Sequence, residues 1–147
     1  MNAIFCVVIA LGGQGLAEGG RKPEVIPVNL ECKVLLDGKF KEDWRVKQIV
    51  DFHAPHFVET KTRDGKNKVV FNLGIMVSRD GEAQILIADQ TKSVDVLGSQ
   101  AKVAQPLAST SFNLKKFSEP ITLGAYGGYG GLEPEIKLSC RREKKSP

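Results

Sequence analysis

The sequence predicts an all-β protein: one antiparallel β-sandwich or small closed barrel of roughly eight to nine strands, tied by one disulfide. Three observations carry that expectation. Apolar residues recur with period two, and no stretch sustains the 3.6-residue period of an amphipathic helix. Asp-Gly occurs at Asp37-Gly38, Asp64-Gly65 and Asp80-Gly81, each between strand-like runs, where it signals a hairpin. Fifteen glycines stand beside one Trp, two Tyr and seven Phe, the composition of a turn-rich β protein. With 147 residues, 26% of them charged and 41% hydrophobic, the chain fits one domain with its own core and is neither collagen-like, coiled-coil nor disordered. No cofactor is needed to hold such a chain together.

Residues 1–17 come first and carry no charge; the first charged side chain is Glu18. Within them Ala3 to Leu11 is an unbroken apolar run. As a helix it would span roughly 13 Å, under half of a bilayer's hydrocarbon core, so it is too short to cross. It has the length of a signal-peptide apolar region, and Gly15-Leu16-Ala17 supplies small residues where a signal peptidase reads. The expectation is cleavage after Ala17 and a secreted or periplasmic product, although no Lys or Arg precedes the apolar run. Cys6 lies inside that run, away from the cleavage point, which argues against a lipoprotein.

Residues 18–28 carry glycine and two prolines and read as an extended lead-in. The β domain proper is expected over 29–141. Leu30, Cys32, Val34 and Leu36 alternate with Asn29, Glu31 and Lys33, and Ile136, Leu138 and Cys140 alternate with Lys137, Ser139 and Arg141. Both sulfurs therefore point to the core side of their strands. Removal of Cys6 leaves an even pair, and an even pair in an exported chain predicts the bridge Cys32–Cys140. That bridge requires the two strands to be neighbours in one sheet or directly opposed across a sandwich.

Trp44, Val46, Val50 and Phe52 suggest one buried face of the next strand, with Ile49 against the pattern. Val69, Phe71, Leu73, Ile75 and Val77 form the clearest strand. Further strands are expected at 83–88, 93–97, 108–114, 120–126 and 135–141. The turn at Asp80-Gly81 allows a test of register. A two-residue loop would split the apolar faces. A three-residue loop, Arg79-Asp80-Gly81, opposes Val77 to Ala83, Ile75 to Ile85 and Leu73 to Ile87, and puts Gly81 in the left-handed position of a G1 bulge. Residues 142–147 are a basic tail. The run Arg141 to Lys145 holds four basic residues and one acidic, which accounts for most of the net charge of +4.

That distribution argues against a nucleic-acid binder, which would show basic and aromatic residues interleaved on a folded face. It leaves the tail able to touch anionic lipid, lipopolysaccharide or an acidic partner. A membrane β-barrel is disfavoured, because the aromatics form no two girdles and the chain ends in charges. His53-Ala54-Pro55-His56 contains both histidines and reads as a surface loop; no third ligand completes a metal site, and no metal is expected. No catalytic signature of the kind Gly-x-Ser-x-Gly or a P-loop occurs, and no catalytic residue is assigned. The most unusual run is Gly124 to Gly131, in which Tyr126 and Tyr129 are the candidate ligand contacts. Glycine permits close approach and tyrosine offers a flat face with a polar tip, which suits a glycan or peptide. The alternative is a wide turn whose tyrosines cover an open end of the sandwich. The functional expectation is an exported binding or structural protein with a protein or glycan partner in the cell envelope or extracellular space. The alternative is a small secreted enzyme or inhibitor with a loop-built site.

Overall fold

The computed structural model describes residues 24–50, 53–91, 93–128 and 133–144. These residues form ten strands in chain order: β1 (Val25–Leu36), β2 (Lys39–Val50), β3 (His53–Lys61), β4 (Lys68–Val77), β5 (Glu82–Asp89), β6 (Ser93–Val96), β7 (Ser99–Lys102), β8 (Gln105–Asn113), β9 (Ile121–Tyr126) and β10 (Glu135–Arg142). No helix occurs among the described residues. Hydrogen bonding orders eight strands as β8-β5-β4-β3-β2-β1-β10-β9, and β6-β7 form a separate ribbon. All ladders are antiparallel.

One joint sets the architecture. β2 and β3 share a single ladder pair, Val50 with His53. The sheet therefore folds there into two four-stranded sheets, β8-β5-β4-β3 and β2-β1-β10-β9. On the far side β8 and β9 are both edges, with no ladder between them among the described residues. The molecule is sandwich-like and not a closed barrel, which decides between the two architectures the pattern allows.

The inward parity of β4 forms the centre of the core. Val69, Phe71, Leu73, Ile75 and Val77 are all buried, facing Ala83, Ile85 and Ile87 of β5 and Leu30, Val34, Ile136 and Leu138 from the other sheet. Each such side chain contributes about 1.5–3 kcal/mol on burial. The expected hairpin register holds: Val77 pairs Ala83, Ile75 pairs Ile85 and Leu73 pairs Ile87. Gly81 has φ 88°. The turn at Asp37-Gly38 has φ 48° and 75°, the double left-handed signature of a two-residue type I′ turn, and it pairs Leu36 with Lys39. At Asp64-Gly65 the connection is longer, and Thr62 N–H closes it on the Asn67 carbonyl at 2.8 Å.

Cys32 and Cys140 are direct partners in the β1–β10 ladder and are joined by a disulfide. Their Cα atoms are 3.9 Å apart, just under the usual span of about 4.4–6.8 Å, on directly opposed positions of neighbouring strands. Both sulfurs lie in the core. The bridge joins the first strand to the last across a sequence separation of 108.

Two expectations are corrected. On β2, Ile49 is buried and Val50 is exposed, the reverse of the single-face pattern. A bulge is the reason: the register shifts between Pro27 and Leu30, where Asn29 adopts φ 52°, and the shift changes which residues of β2 face inward. Phe52 lies outside the described residues. The His53-Ala54-Pro55-His56 run is not a loop. It opens β3, whose ladder to β4 runs unbroken from His53–Met76 to Lys61–Lys68. Val25 to Val28, the end of the extended lead-in, already belong to β1.

Candidate functional site

The two open ends of the sandwich differ. At one end, connections from both sheets are bolted together. Asp37 accepts hydrogen bonds from Glu135 N–H at 2.9 Å and from the Arg63 guanidinium at 3.1 Å, and its own N–H donates to the Glu135 carbonyl at 2.8 Å. The buried carboxylate of Asp89 accepts Thr91 N–H at 2.7 Å and Gly128 N–H at 2.9 Å. A Cβ on Gly127 would lie 2.4 Å from the Phe71 ring, so only glycine lets the backbone pass. Asp64 accepts from the Thr62 hydroxyl and from Lys66 N–H at 3.1 Å; these bonds, the hydroxyl foremost, lower its pKa.

The described part of the glycine-tyrosine run, Gly124 to Gly128, belongs to this bolted end. Tyr126 sits on β9 opposite Glu135, with 57% of its surface exposed on the outer face of the sheet. Tyr129 lies outside the described residues. The structure thus gives Tyr126 an exposed position on the outer face, away from the cleft described below.

At the side of the sandwich, Trp44 of β2 stacks on His56 of β3, with ring centroids 5.8 Å apart and planes 12° from parallel. The imidazole also meets Glu42, whose carboxylate is 3.2 Å from Nε2. His56 is thereby occupied in joining the sheets next to their sparse β2–β3 joint. Among the described residues no group of three His, Cys, Asp or Glu is placed to hold a metal ion.

The opposite end opens as a cleft of about 960 Å³. Four chain segments meet there. The bulged start of β1 supplies Ile26, Pro27, Val28 and Asn29; the β4–β5 turn supplies Ser78, Arg79 and Gly81; the exit of β8 supplies Leu114 and Lys115; the end of β10 supplies Arg142, Glu143 and Lys144. Backbone bonds fix these segments to one another. Glu143 N–H donates to the Asn29 carbonyl at 2.9 Å, and Leu114 N–H donates to the Gly81 carbonyl at 2.9 Å. Arg142 donates to the Leu114 carbonyl while its guanidinium lies 5.0 Å over the Phe117 ring. The Lys115 stem runs along Gly81, where a Cβ would sit 3.6 Å from its Cε.

Charge in the cleft is uneven. Arg79, Lys115, Arg142 and Lys144 line it against Glu143 alone, and Glu24 at the rim holds the Arg79 Nε at 3.0 Å. The floor is apolar: Val28 is buried, and Ile26 and Leu114 pack against the core. A cationic mouth over an apolar floor can hold a ligand that carries negative charge. The sequence reading located the basic tail but not this cleft. The parts stand far apart in the chain, and only the fold, with the bulge at Asn29, gathers them. Comparison with protein-family models, with curated proteins and with solved structures finds no match.

Proposed function

We propose that the protein is exported to the periplasm or beyond and acts by binding, with the cleft between the start of β1, the β4–β5 turn and the end of β10 as its site for an anionic ligand. The observation that carries this reading is the excess of four basic side chains over Glu143 around a cavity of ligand size. The disulfide, Cys32 to Cys140, is compatible with an oxidising compartment. No helix among the described residues is long and apolar enough to cross a membrane.

Titration with inositol hexakisphosphate tests the site. Saturable binding is expected, weakened at least tenfold in the double variant Lys115→Glu, Lys144→Glu and weakened further as salt shortens the Debye length. Equal affinity in the charge-reversed variant contradicts the reading. A second reading rests on Tyr126, whose exposed ring beside Glu135 and Lys137 suits a glycan or peptide. Under it, Tyr126→Ala weakens binding of an oligosaccharide without changing the unfolding midpoint, and a large loss of stability contradicts it.

A further inference from the structure

We infer that the ligand of the cationic cleft is an anionic amphiphile, with its charged head among Lys115, Arg142 and Lys144 and its apolar chain along Ile26, Pro27 and Leu114. This inference rests on the proposed anion site and narrows the chemistry it takes.

Three features point there. The first is the pairing of charges. Arg79 is engaged by Glu24. Arg142 is oriented by the Leu114 carbonyl and the Phe117 ring, and its guanidinium carries five N–H donors, more than that one bond uses. Lys115 and Lys144 line the same cavity and reach it from different strands. The cations of the cleft come from both sheets, since Lys115 follows β8 and Lys144 follows β10.

The second feature is the floor. Ile26 and Leu114 are only partly buried although both pack on the core, and Pro27 is exposed beside them. A bare phosphate would leave that apolar surface in water. An alkyl chain laid across it gains about 25 cal/mol for each Å² of apolar surface removed from solvent. The third is size. A cavity of about 960 Å³ lies at the upper end of the range typical of organic ligands and far exceeds one inorganic anion. Its one acidic lining residue, Glu143, stands against four basic ones, so the lining stays positive in excess.

The head-group chemistry is shared by a free single-chain amphiphile and by an anionic lipid in a membrane, and the experiment separates the two. Four probes are titrated into the protein: dodecyl phosphate below its micelle concentration, phosphatidylglycerol vesicles, ethyl phosphate as the same head without the long tail, and dodecyl maltoside without a charge. Dodecyl phosphate is expected to bind at least tenfold more tightly than either single-feature probe. Additional binding to the vesicles identifies a membrane lipid as the source; none identifies a free amphiphile. Pro27→Glu, at an exposed floor position, is expected to weaken dodecyl phosphate at least fivefold and to leave ethyl phosphate within twofold. Equal binding of the tailless and tailed phosphates overturns the amphiphile and leaves the anion site standing. Tight binding of dodecyl maltoside with none of the anions overturns both.

Discussion

Gly127 and Gly81 are both glycines at turns, yet they are required for different reasons. Gly81 sits at φ 88°, where a β-branched side chain is strained, so Gly81→Val should lower stability by about 1 kcal/mol or more in urea unfolding. An unchanged midpoint would contradict the G1 bulge. Gly127 is required by proximity: an added Cβ would enter the Phe71 ring. Gly127→Ala should therefore cost about 1–3 kcal/mol, as overpacking does, and a neutral result would show that the loop yields. The first requirement is legible in sequence, because Asp-Gly between two alternating runs names its own turn. The second is not, because Phe71 comes from a strand far earlier in the chain. For the same reason Asp89 escaped notice: a carboxylate holding Gly128 N–H across the fold has no local signature. Nor does Leu97-Gly98, at φ 52° and 80°, announce the turn of the β6–β7 ribbon, since leucine rarely occupies a left-handed position.

Strand faces were legible wherever pairing is regular. β4, β10 and the inner half of β1 alternate cleanly, and the disulfide follows from that parity, which sets Cys32 and Cys140 on the inward faces of the first and last of these strands. β2 was misread because a bulge on its partner strand changes the phase of burial, and a bulge leaves no trace in period two. On the outer face of this sheet a ladder of charges crosses three strands. Glu31 of β1 accepts from Arg141 of β10 at 2.9 Å and from Arg45 of β2 at 3.1 Å. These bonds, the one from Arg141 foremost, hold the Glu31 carboxyl below its ordinary value of 4.5. A lowered folded-state pKa stabilises the fold above the unfolded value and loses that contribution as pH falls through the folded one. Thermal melts should therefore show wild type losing stability on acidification more steeply than Glu31→Gln; identical pH profiles would contradict the ladder. Replacing both bridged cysteines, Cys32→Ala with Cys140→Ala, should lower stability by roughly 2–4 kcal/mol in chemical denaturation. No change would show that the β1–β10 ladder holds without the bond.

At the scale of the molecule, one end of the sandwich is bolted by Asp37 and Asp89 and the other is left open with a basic lining. The class of fold was legible from periodicity and turns, because both are local. The choice of sandwich over barrel was not, because it depends on a single ladder pair between Val50 and His53 and on the lack of a ladder between β8 and β9. The cleft was illegible for the same reason. It exists only once the bulge at Asn29 and the ends of β8 and β10 have been brought together.

The claim beneath the proposed function is that the working protein is an exported chain whose first and last strands are covalently joined. Isolation from its native host, followed by N-terminal sequencing and thiol titration in denaturant without reductant, tests it most directly. The account predicts a chain beginning at or near Glu18 with no free thiol, because Cys6 has left with the leader and Cys32 is bonded to Cys140. An intact Met1 with titratable thiols at Cys32 and Cys140 would contradict it.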